Sequence, residues 1–361
     1  HPVAHSFPTR RSSDLVRKTG REPRRILACQ LRQIGDVLLA TPALRLLQER
    51  FPAAELHVLT EAKCAPVLEH NPHVARVHAL DKKALRNPLT ALGWYRRVAR
   101  TGYDLVVDLQ QLPRCKWVVR FSGAPVRLTF TPPWYNRRLY THWTDLDNGY
   151  AAKCTANVLR PLGIEWDGGA PELFLSDDER AWAGAWLAEQ GLAPGSFVTV
   201  DPSHRRITRK WPERHFAGLM RLLAEQRPGT RFLVLYGPGE QDVAREVARL
   251  YAGAGDDAVL PPGLLTLRQM AAVQEAAAMH LGNCSAPRHF AVAVGAPSMT
   301  ILGATSTGWQ FPSEEHAYAT KGLPCHPCNR NDCEHRRCLE DLEPEEVLAD
   351  ALRVYDLGRA R

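Results

Sequence analysis

Short apolar runs alternate with helix-length segments from Arg25 onward. In the first half of the chain the apolar runs read ILACQL, ELHVLT, VARVHAL and YDLVVDL. Strands that are apolar at nearly every position are typical of a parallel sheet with helices on both sides, because neither face of such a sheet meets water. This part of the chain is therefore predicted to be an α/β domain.

A second series of the same kind follows the acidic and glycine-rich stretch at 165–170. Its apolar runs read FVTVDPS, RFLVLYG, AVLPPG, MHLGN and SMTILG. The whole pattern predicts two Rossmann-like domains, at 25–168 and 169–343, and a C-terminal helix at 344–361. Parallel sheets bind ligands beyond the carboxyl ends of their strands, so we expect the two sheets to face a shared ligand cleft.

The composition is that of a globular protein. The chain has 361 residues, 45% of them hydrophobic and 24% charged, and its mean hydropathy is −0.30. No run of about 18 apolar residues occurs, so the sequence predicts no membrane-spanning helix. Nine cysteines over this length do not make a disulfide scaffold, and we therefore expect a location in the reducing cytoplasm.

Much of the net charge of +7 comes from the N-terminus. Residues 1–25 hold seven basic and two acidic residues, which leaves +2 for the rest, and we therefore expect no nucleic-acid partner. The stretch HSFPTRRSSDL from His5 resembles a translated sequencing adapter and lacks the apolar core of a signal peptide. We expect residues 1–24 to be a non-native or disordered tail.

Candidate chemistry lies directly after the strands. Gly35 and Asp36 follow the first strand, where glycine permits a tight turn and a carboxylate can act as general base toward a hydroxyl group. The alternative is that Asp36 only caps the next helix through the N–H of Leu38 or Leu39. The sequence leaves both roles open.

A basic loop, DPSHRRITRKW, follows the first strand of the second domain. Its hydroxyls and cations suit a diphosphate, because they pair with phosphate oxygens and offset the charge on a departing nucleotide. The alternative is a solvated basic loop before a helix that Pro212 opens. The candidate residues are Ser203, Thr208, Arg209 and Lys210.

Two later loops of the second domain also have candidate residues. Gly237 and Glu240 in GPGE either hold a nucleoside, with the carboxylate on the ribose, or form an ordinary turn. The segment GNCSAPRH puts small residues at a helix N-terminus, whose N–H groups can cradle a phosphate. Its candidate residues are Asn283, Cys284, Ser285, Ala286, Pro287 and His289.

A strand and basic segment of the first domain form a candidate acceptor site. Gln110, Arg114 and Lys116 follow the run YDLVVDL and suit an anionic sugar or a lipid phosphate. The alternative is a strand followed by an ordinary basic helix, because such side chains also serve packing.

Four of the nine cysteines crowd into a short C-terminal segment. Cys325, Cys328, Cys333 and Cys338 could hold a structural zinc or an iron–sulfur group, since thiolates are ligands for both. The alternative is four unligated thiols. No cofactor is expected to take part in catalysis.

In this order, four motifs resemble the ADP-heptose:lipopolysaccharide heptosyltransferase family, glycosyltransferase family nine. The motifs are GDVLLATPALRLL, KWPERHF, GPGE and GNCSAPRHFAVAVGAP with a following GATS. The resemblance implies a GT-B fold and an inverting transfer without an obligatory active-site metal. It also implies that Asp36 is the catalytic base, that Arg209 lies near the donor diphosphate and that Glu240 binds the ribose.

Two positions depart from the family pattern. Cys284 stands where the family commonly has aspartate, and Arg209 replaces a common lysine, which keeps the charge but presents a planar fork. The expected function is transfer of heptose from ADP-heptose to a lipid-linked, lipopolysaccharide-core-like acceptor, with peripheral contact at the inner membrane. The alternatives are a non-catalytic nucleotide- or glycan-binding GT-B module and a GT-B sugar-nucleotide epimerase.

Overall fold

The computed structural model describes residues 22–252 and 258–361, and the expected tail at 1–24 lies outside them except for its last three residues. The chain divides into two compact units between Gly169 and Ala170. Each unit is built on one all-parallel sheet, which confirms the predicted α/β class with two parallel sheets.

The first unit has a six-stranded sheet in the order β3-β2-β1-β4-β5-β6. This order reverses direction between β1 and β4, as in a doubly wound fold. The strands are β1 Arg25–Cys29, β2 Glu55–Glu61, β3 Arg76–Leu80, β4 Leu105–Asp108, β5 Val126–Phe130 and β6 His142–Thr144. The helices are α1 Ile34–Arg50, α2 Pro88–Ala99, α3 Pro113–Ser122 and α4 Ala151–Ala156, with 3₁₀ segments at Ala62–Leu68, Trp134–Leu139 and Asn157–Leu162.

The second unit has a five-stranded sheet in the order β11-β10-β9-β7-β8, which reverses between β7 and β9. Its strands are β7 Phe197–Asp201, β8 Arg231–Val234, β9 Met279–Asn283, β10 Ser298–Ile301 and β11 His316–Ala319. Its helices are α5 Asp177–Glu189, α6 Glu213–Gln226, α7 Gln241–Ala252, α8 Leu267–Glu275, α9 Ala286–Ala293, α10 Arg337–Glu340 and α11 Pro344–Arg359, with 3₁₀ segments at Ile207–Arg209 and Thr307–Trp309.

The predicted strand in AVLPPG is reduced to one bridge. Val259 pairs with Leu233 beside β8, and the flanking residues form no strand. Pro261 and Pro262 explain this, because a proline has no N–H to donate to a neighbouring strand. Among the described residues, no helix is long and apolar enough to cross a membrane.

Helix α11 is part of the core of the second unit. Val347, Ala351, Val354 and Tyr355 are buried in the same cluster as residues of β7 and β9. Gly358 permits close contact, because a Cβ there would collide with the carbonyl oxygen of Ala278. The helix therefore covers one face of the second sheet.

Candidate active site

The candidate site of the first unit lies where its strand order reverses. The loops after β1 and β4 leave opposite faces of a sheet at such a point, and a ligand crevice forms between them. Gly35 and Asp36 lie in the first turn of α1, directly after the loop that follows β1, and Gln110 follows β4. The fold thus brings two separate sequence predictions to one place.

Asp36 is half-buried and has one close hydrogen bond. Its Oδ2 accepts from the backbone N–H of Gln33 at 2.8 Å, so it caps the helix from its third residue and not through Leu38 or Leu39. Burial raises the pKa of Asp36, and the Gln33 N–H and the Arg32 charge oppose this rise. A raised pKa makes the carboxylate a stronger base than an exposed aspartate.

Gln110 holds the loop that precedes Asp36. Its Oε1 accepts from the backbone N–H groups of Leu31 and Arg32 at 3.0 and 3.1 Å. Its Nε2 lies 3.5 Å from Asp36 Oδ2. The amide is therefore occupied by this loop and orients the Asp36 carboxylate, which the sequence did not indicate.

Asp108, at the end of β4, holds the backbone of the loop that contains Gln110. Its carboxylate is fully buried and accepts from the N–H groups of Gln110 and Gln111 and, at 2.6 Å, from the hydroxyl of Tyr140. Burial raises its pKa, although these hydrogen bonds oppose the rise. An acidic residue that ends an apolar strand was the only signal for it in the sequence.

Arg114 and Lys116 lie at the start of α3. Arg114 is exposed and Lys116 is half-buried, and neither forms an ion pair among residues 22–252 and 258–361. Lys116 lowers the pKa of the nearby Asp108 carboxyl as a minor influence. Both cations are thus available to an anionic ligand.

In the second unit, Asn283 joins two loops at the reversal between β7 and β9. Its side chain is fully buried, accepts from Trp211 N–H at 3.0 Å, and donates to the carbonyls of Pro202 and Ser203 at 2.9 and 3.5 Å. It therefore fixes both ends of the basic loop. Because its side chain is fully buried in these contacts, Asn283 positions the basic loop.

Three polar atoms in neighbouring loops are buried without a hydrogen-bond partner in the described part of the chain. They are Ser203 Oγ, Arg209 Nε and Thr305 Oγ1. Ala304 N–H donates to the carbonyl of Thr208 at 2.9 Å, so the loops of Arg209 and Thr305 are in contact. Buried polar groups normally find partners, and unpaired ones mark a place where a ligand or water supplies them.

Other predicted donor residues are already engaged with protein groups. Lys210 pairs with Glu213, and Glu240 Oε2 accepts from Gly237 N–H at 3.2 Å. Thr208 Oγ1 donates to the carbonyl of Arg330 at 2.8 Å. These contacts hold the loops in place. A nucleotide-sugar would have to compete with Glu213 for Lys210 and with the Gly237 N–H for Glu240.

The start of α9 is the last predicted donor segment. Ser285 is its N-cap residue, and Ala286 and Pro287 begin its first turn, where the N–H of Ala286 has no helical partner and Pro287 has no N–H. Cys284 is a buried free thiol. His289, the fourth residue of α9, has a buried side chain in contact with Arg288 and Trp309.

The cysteine segment contacts the loops that hold Arg209 and Thr305. His326 Nε2 lies 3.0 Å from the carbonyl oxygen of Thr305, and Asn329 N–H donates to Ala304 at 2.8 Å. Cys325, Cys328, Cys333 and Cys338 are free thiols. Burial raises the pKa of Cys338, and the other three thiols of the segment raise it further. In the described residues, no three His, Cys, Asp or Glu side chains stand together as a metal-binding group, and the zinc site stays a prediction.

Known proteins similar to this chain are heptosyltransferases. The family model described as glycosyltransferase family 9 (heptosyltransferase) matches residues 92–338. Lipopolysaccharide heptosyltransferase 3 of Escherichia coli is 26% identical over 286 residues, which cover 75% of this chain and 81% of that protein.

Two solved structures share the fold. A glycosyl transferase family 9 structure from Veillonella parvula matches with a TM-score of 0.78 at 21% identity, over 92% of this chain and 97% of that one. The E. coli heptosyltransferase WaaC with ADP-2-deoxy-2-fluoro heptose matches with a TM-score of 0.68 at 20% identity, over 90% and 97%. These likenesses support a GT-B fold.

Proposed function

Since the chain belongs to glycosyltransferase family 9, we propose that it transfers a heptose from ADP-heptose to a hydroxyl group of a lipopolysaccharide-core-like acceptor. The similar proteins support this donor and acceptor, because one is a lipopolysaccharide heptosyltransferase and another binds an ADP-heptose analogue. The observation that carries the proposal is the half-buried Asp36, whose Oδ2 has one close hydrogen bond and whose pKa is raised.

In the proposed reaction Asp36 takes the proton of the acceptor hydroxyl. The hydroxyl oxygen then forms a bond to the anomeric carbon of the heptose while the bond from that carbon to the ADP oxygen breaks. Attack from the side opposite ADP inverts the anomeric centre. Gln110 orients the Asp36 carboxylate, and Arg114 and Lys116 attract the anionic acceptor.

The second unit supplies the donor contacts in this proposal. Arg209 stabilises the negative charge that develops on ADP, because a guanidinium group pairs well with phosphate oxygens. The hydroxyl groups of Ser203 and Thr305 lack hydrogen-bond partners within the described part of the protein, and in this proposal they bind the diphosphate. The N–H groups at the start of α9 add a positive dipole end, and Glu240 turns from Gly237 to the ribose.

We give no metal a role in the chemical step and assign the four cysteines a structural zinc that fixes the segment at 325–338. That segment already contacts the loop of Thr208 through Arg330 and the loop of Thr305 through His326. Because the acceptor is lipid-linked, we also propose that the enzyme works at the inner surface of the cytoplasmic membrane as a peripheral protein.

The test is a transfer assay with ADP-heptose and lipopolysaccharide core that lacks heptose. Mass spectrometry of the product is expected to show one added heptose and one released ADP per transfer, with no transfer from UDP-, GDP- or CMP-sugars. A control without acceptor separates the alternatives, because an epimerase converts the donor alone. Donor binding without any turnover would support the non-catalytic alternative and reject the proposal.

A further inference from the structure

The first unit has a strongly basic surface that the overall charge conceals. Residues 88–139, from the start of α2 to the end of the 3₁₀ segment at Trp134–Leu139, contain nine basic and two acidic residues. Two acids cannot balance nine cations, and Asp108 is buried while Asp104 accepts from the backbone N–H groups of Arg24 and Arg25. Within the described residues, none of the nine cations forms an ion pair. Their sequence positions are Arg96, Arg97, Arg100, Arg114, Lys116, Arg120, Arg127, Arg137 and Arg138.

Several of these cations lie beside aromatic rings, whereas Arg127 is half-buried and donates to the carbonyl oxygens of Leu139 and Ala124. The Arg96 guanidinium on α2 lies 5.0 Å from the centre of the Phe121 ring on α3, and Trp117 stacks on Phe121 at 5.6 Å. An open cavity of about 480 Å³ joins α3 to the 3₁₀ segment, with Arg120 and Arg138 both in its lining. Helix α2 thus lies beside helix α3, and α3 lies beside the 3₁₀ segment. We call this surface the basic–aromatic face.

The aromatic side chains of this face are unusually open to water. Trp134 is 81% exposed, Tyr135 is 65% exposed and Trp117 is 46% exposed. Leu89, in the first turn of α2, is 79% exposed. Apolar groups of this size at the surface, bordered by charges, mark a place where another surface removes them from water.

We propose that the basic–aromatic face docks on the surface of an anionic lipid bilayer. Arginine and lysine bind anionic headgroups, while tryptophan and tyrosine favour the boundary between headgroups and acyl chains. The exposed Leu89 favours a bilayer over a nucleic acid, because an apolar side chain can enter the acyl region but has no polar group to bind a base or a phosphate. The inference rests on the proposed function only in expecting a lipid-linked acceptor at the membrane.

The inference is tested by flotation of the full-length protein with vesicles. One set is phosphatidylcholine alone, and the other contains about 30% phosphatidylglycerol, which gives the surface the negative potential that attracts basic residues. Arg97→Gln, Arg120→Gln and Arg138→Gln are combined in one variant. The matched control combines Arg231→Gln, Arg245→Gln and Arg249→Gln, which removes the same charge from exposed positions of the second unit.

The parent and the control are expected to bind the anionic vesicles, and the variant to bind them about 10- to 100-fold more weakly. Trp134→Ala is expected to weaken binding severalfold, whereas Tyr318→Ala, at a 41% exposed ring of the second unit, is not. Thermal unfolding of each variant shows that it is folded. All variants share the basic residues of the first 21 positions, so these do not affect the comparison.

Equal binding of the parent to both vesicle types, or an equal loss in the control, would overturn the inference. So would binding of duplex DNA or RNA through the same three arginines without vesicle binding. Vesicle binding involves neither Asp36 nor a sugar donor. A failed transfer assay with intact vesicle binding would therefore reject the proposed function alone, and the reverse result would reject the docking face alone.

Discussion

Ser285 Oγ donates a hydrogen bond to the buried carboxylate of Asp201 and so links the end of β7 to the N-cap of α9. Burial raises the pKa of Asp201 to about 7, the Ser285 hydrogen bond opposes this rise, and the charge of Glu240 adds to it. The group is therefore protonated below neutral pH in the folded protein, whereas it ionises near pH 3.8 when unfolded.

Asp201→Asn tests this titration. Between about pH 4 and pH 7 the folded state holds a proton that the unfolded state has lost, so the wild-type free energy of unfolding falls as pH rises through this window. Asparagine keeps a polar side chain but does not ionise. Relative to wild type, the variant is expected to melt at a similar temperature at pH 4 and at a higher one at pH 8, as measured by calorimetry. An equal shift at both pH values would contradict the assigned protonation.

Asp36→Asn separates the base from the helix cap. Asparagine can still accept from Gln33 N–H, so the free energy of unfolding is expected to stay within about 1 kcal/mol of the wild-type value. Losing a general base lowers the rate by about 10²- to 10⁴-fold. Steady-state kinetics with ADP-heptose and core acceptor measure kcat, and calorimetry measures ADP affinity, which should not change. Turnover within a few-fold of wild type would leave Asp36 with the capping role alone.

The pH profile gives an independent measure of the same group. The pKa of Asp36 is raised, and a base works only when deprotonated, so kcat/KM is expected to fall on acidification at a pH above the usual aspartate value of about 4. Gln110→Leu removes the polar neighbour at 3.5 Å and is expected to move this acid limb. A limb that is unchanged in Gln110→Leu would show that the amide only holds the loop.

Gly303→Ala tests whether the loop of Thr208 and Arg209 controls donor binding. A Cβ at Gly303 would collide with the Thr208 carbonyl oxygen and with the side chain of Leu339. Overpacking of this kind costs about 1–3 kcal/mol, and we expect weaker ADP binding as well. The control is Gly184→Ala in α5, where a Cβ meets no atom within 4 Å. Equal ADP affinity in wild type and Gly303→Ala would show that this loop does not control donor binding.

The cysteine cluster is tested by elemental analysis of protein purified without chelators. About one zinc per chain is expected if the four thiols share a metal. Removal of the metal should lower ADP affinity, because His326 and Arg330 contact the loops of Thr305 and Thr208. Cys29→Ser, at a buried cysteine outside the segment, is the control for metal content. Metal-free protein with four titratable thiols would support unligated cysteines.

The apolar runs predicted eight strands, β1 to β4 and β7 to β10, and missed β5, β6 and β11. Strands β1, β4, β7 and β9 are buried on both faces, and most positions of β1, β4 and β7 are apolar. Strands β6 and β11 are edge strands, whereas β5 is paired on both sides, and the missed strands include polar residues such as Arg127 in β5 and His316 in β11. A polar residue in so short a strand interrupts the apolar run, and the pattern is correspondingly weaker.

For the candidate site, the sequence predicted the loops better than the contacts of the side chains. Asp36 and the basic loop follow their strands, which a sheet of this topology requires. The roles of Asn283 and Gln110 depend on partners 72 to 81 residues away along the chain, and local sequence does not identify such partners. Asp108 and Asp201 look like ordinary ends of strands until burial and hydrogen bonds distinguish them.

Helix α11 also affects how the protein emerges from the ribosome. The first unit ends at Gly169, so it can fold while the second is still being made, as domains generally do. The second unit is different, because Val354 and Tyr355 fill the same core as β7, which is synthesised about 150 residues earlier. Strands β9, β10 and β11 lack the cover of α11 until that helix is released, and this nascent stage is when the chain is most exposed to chaperones and to aggregation.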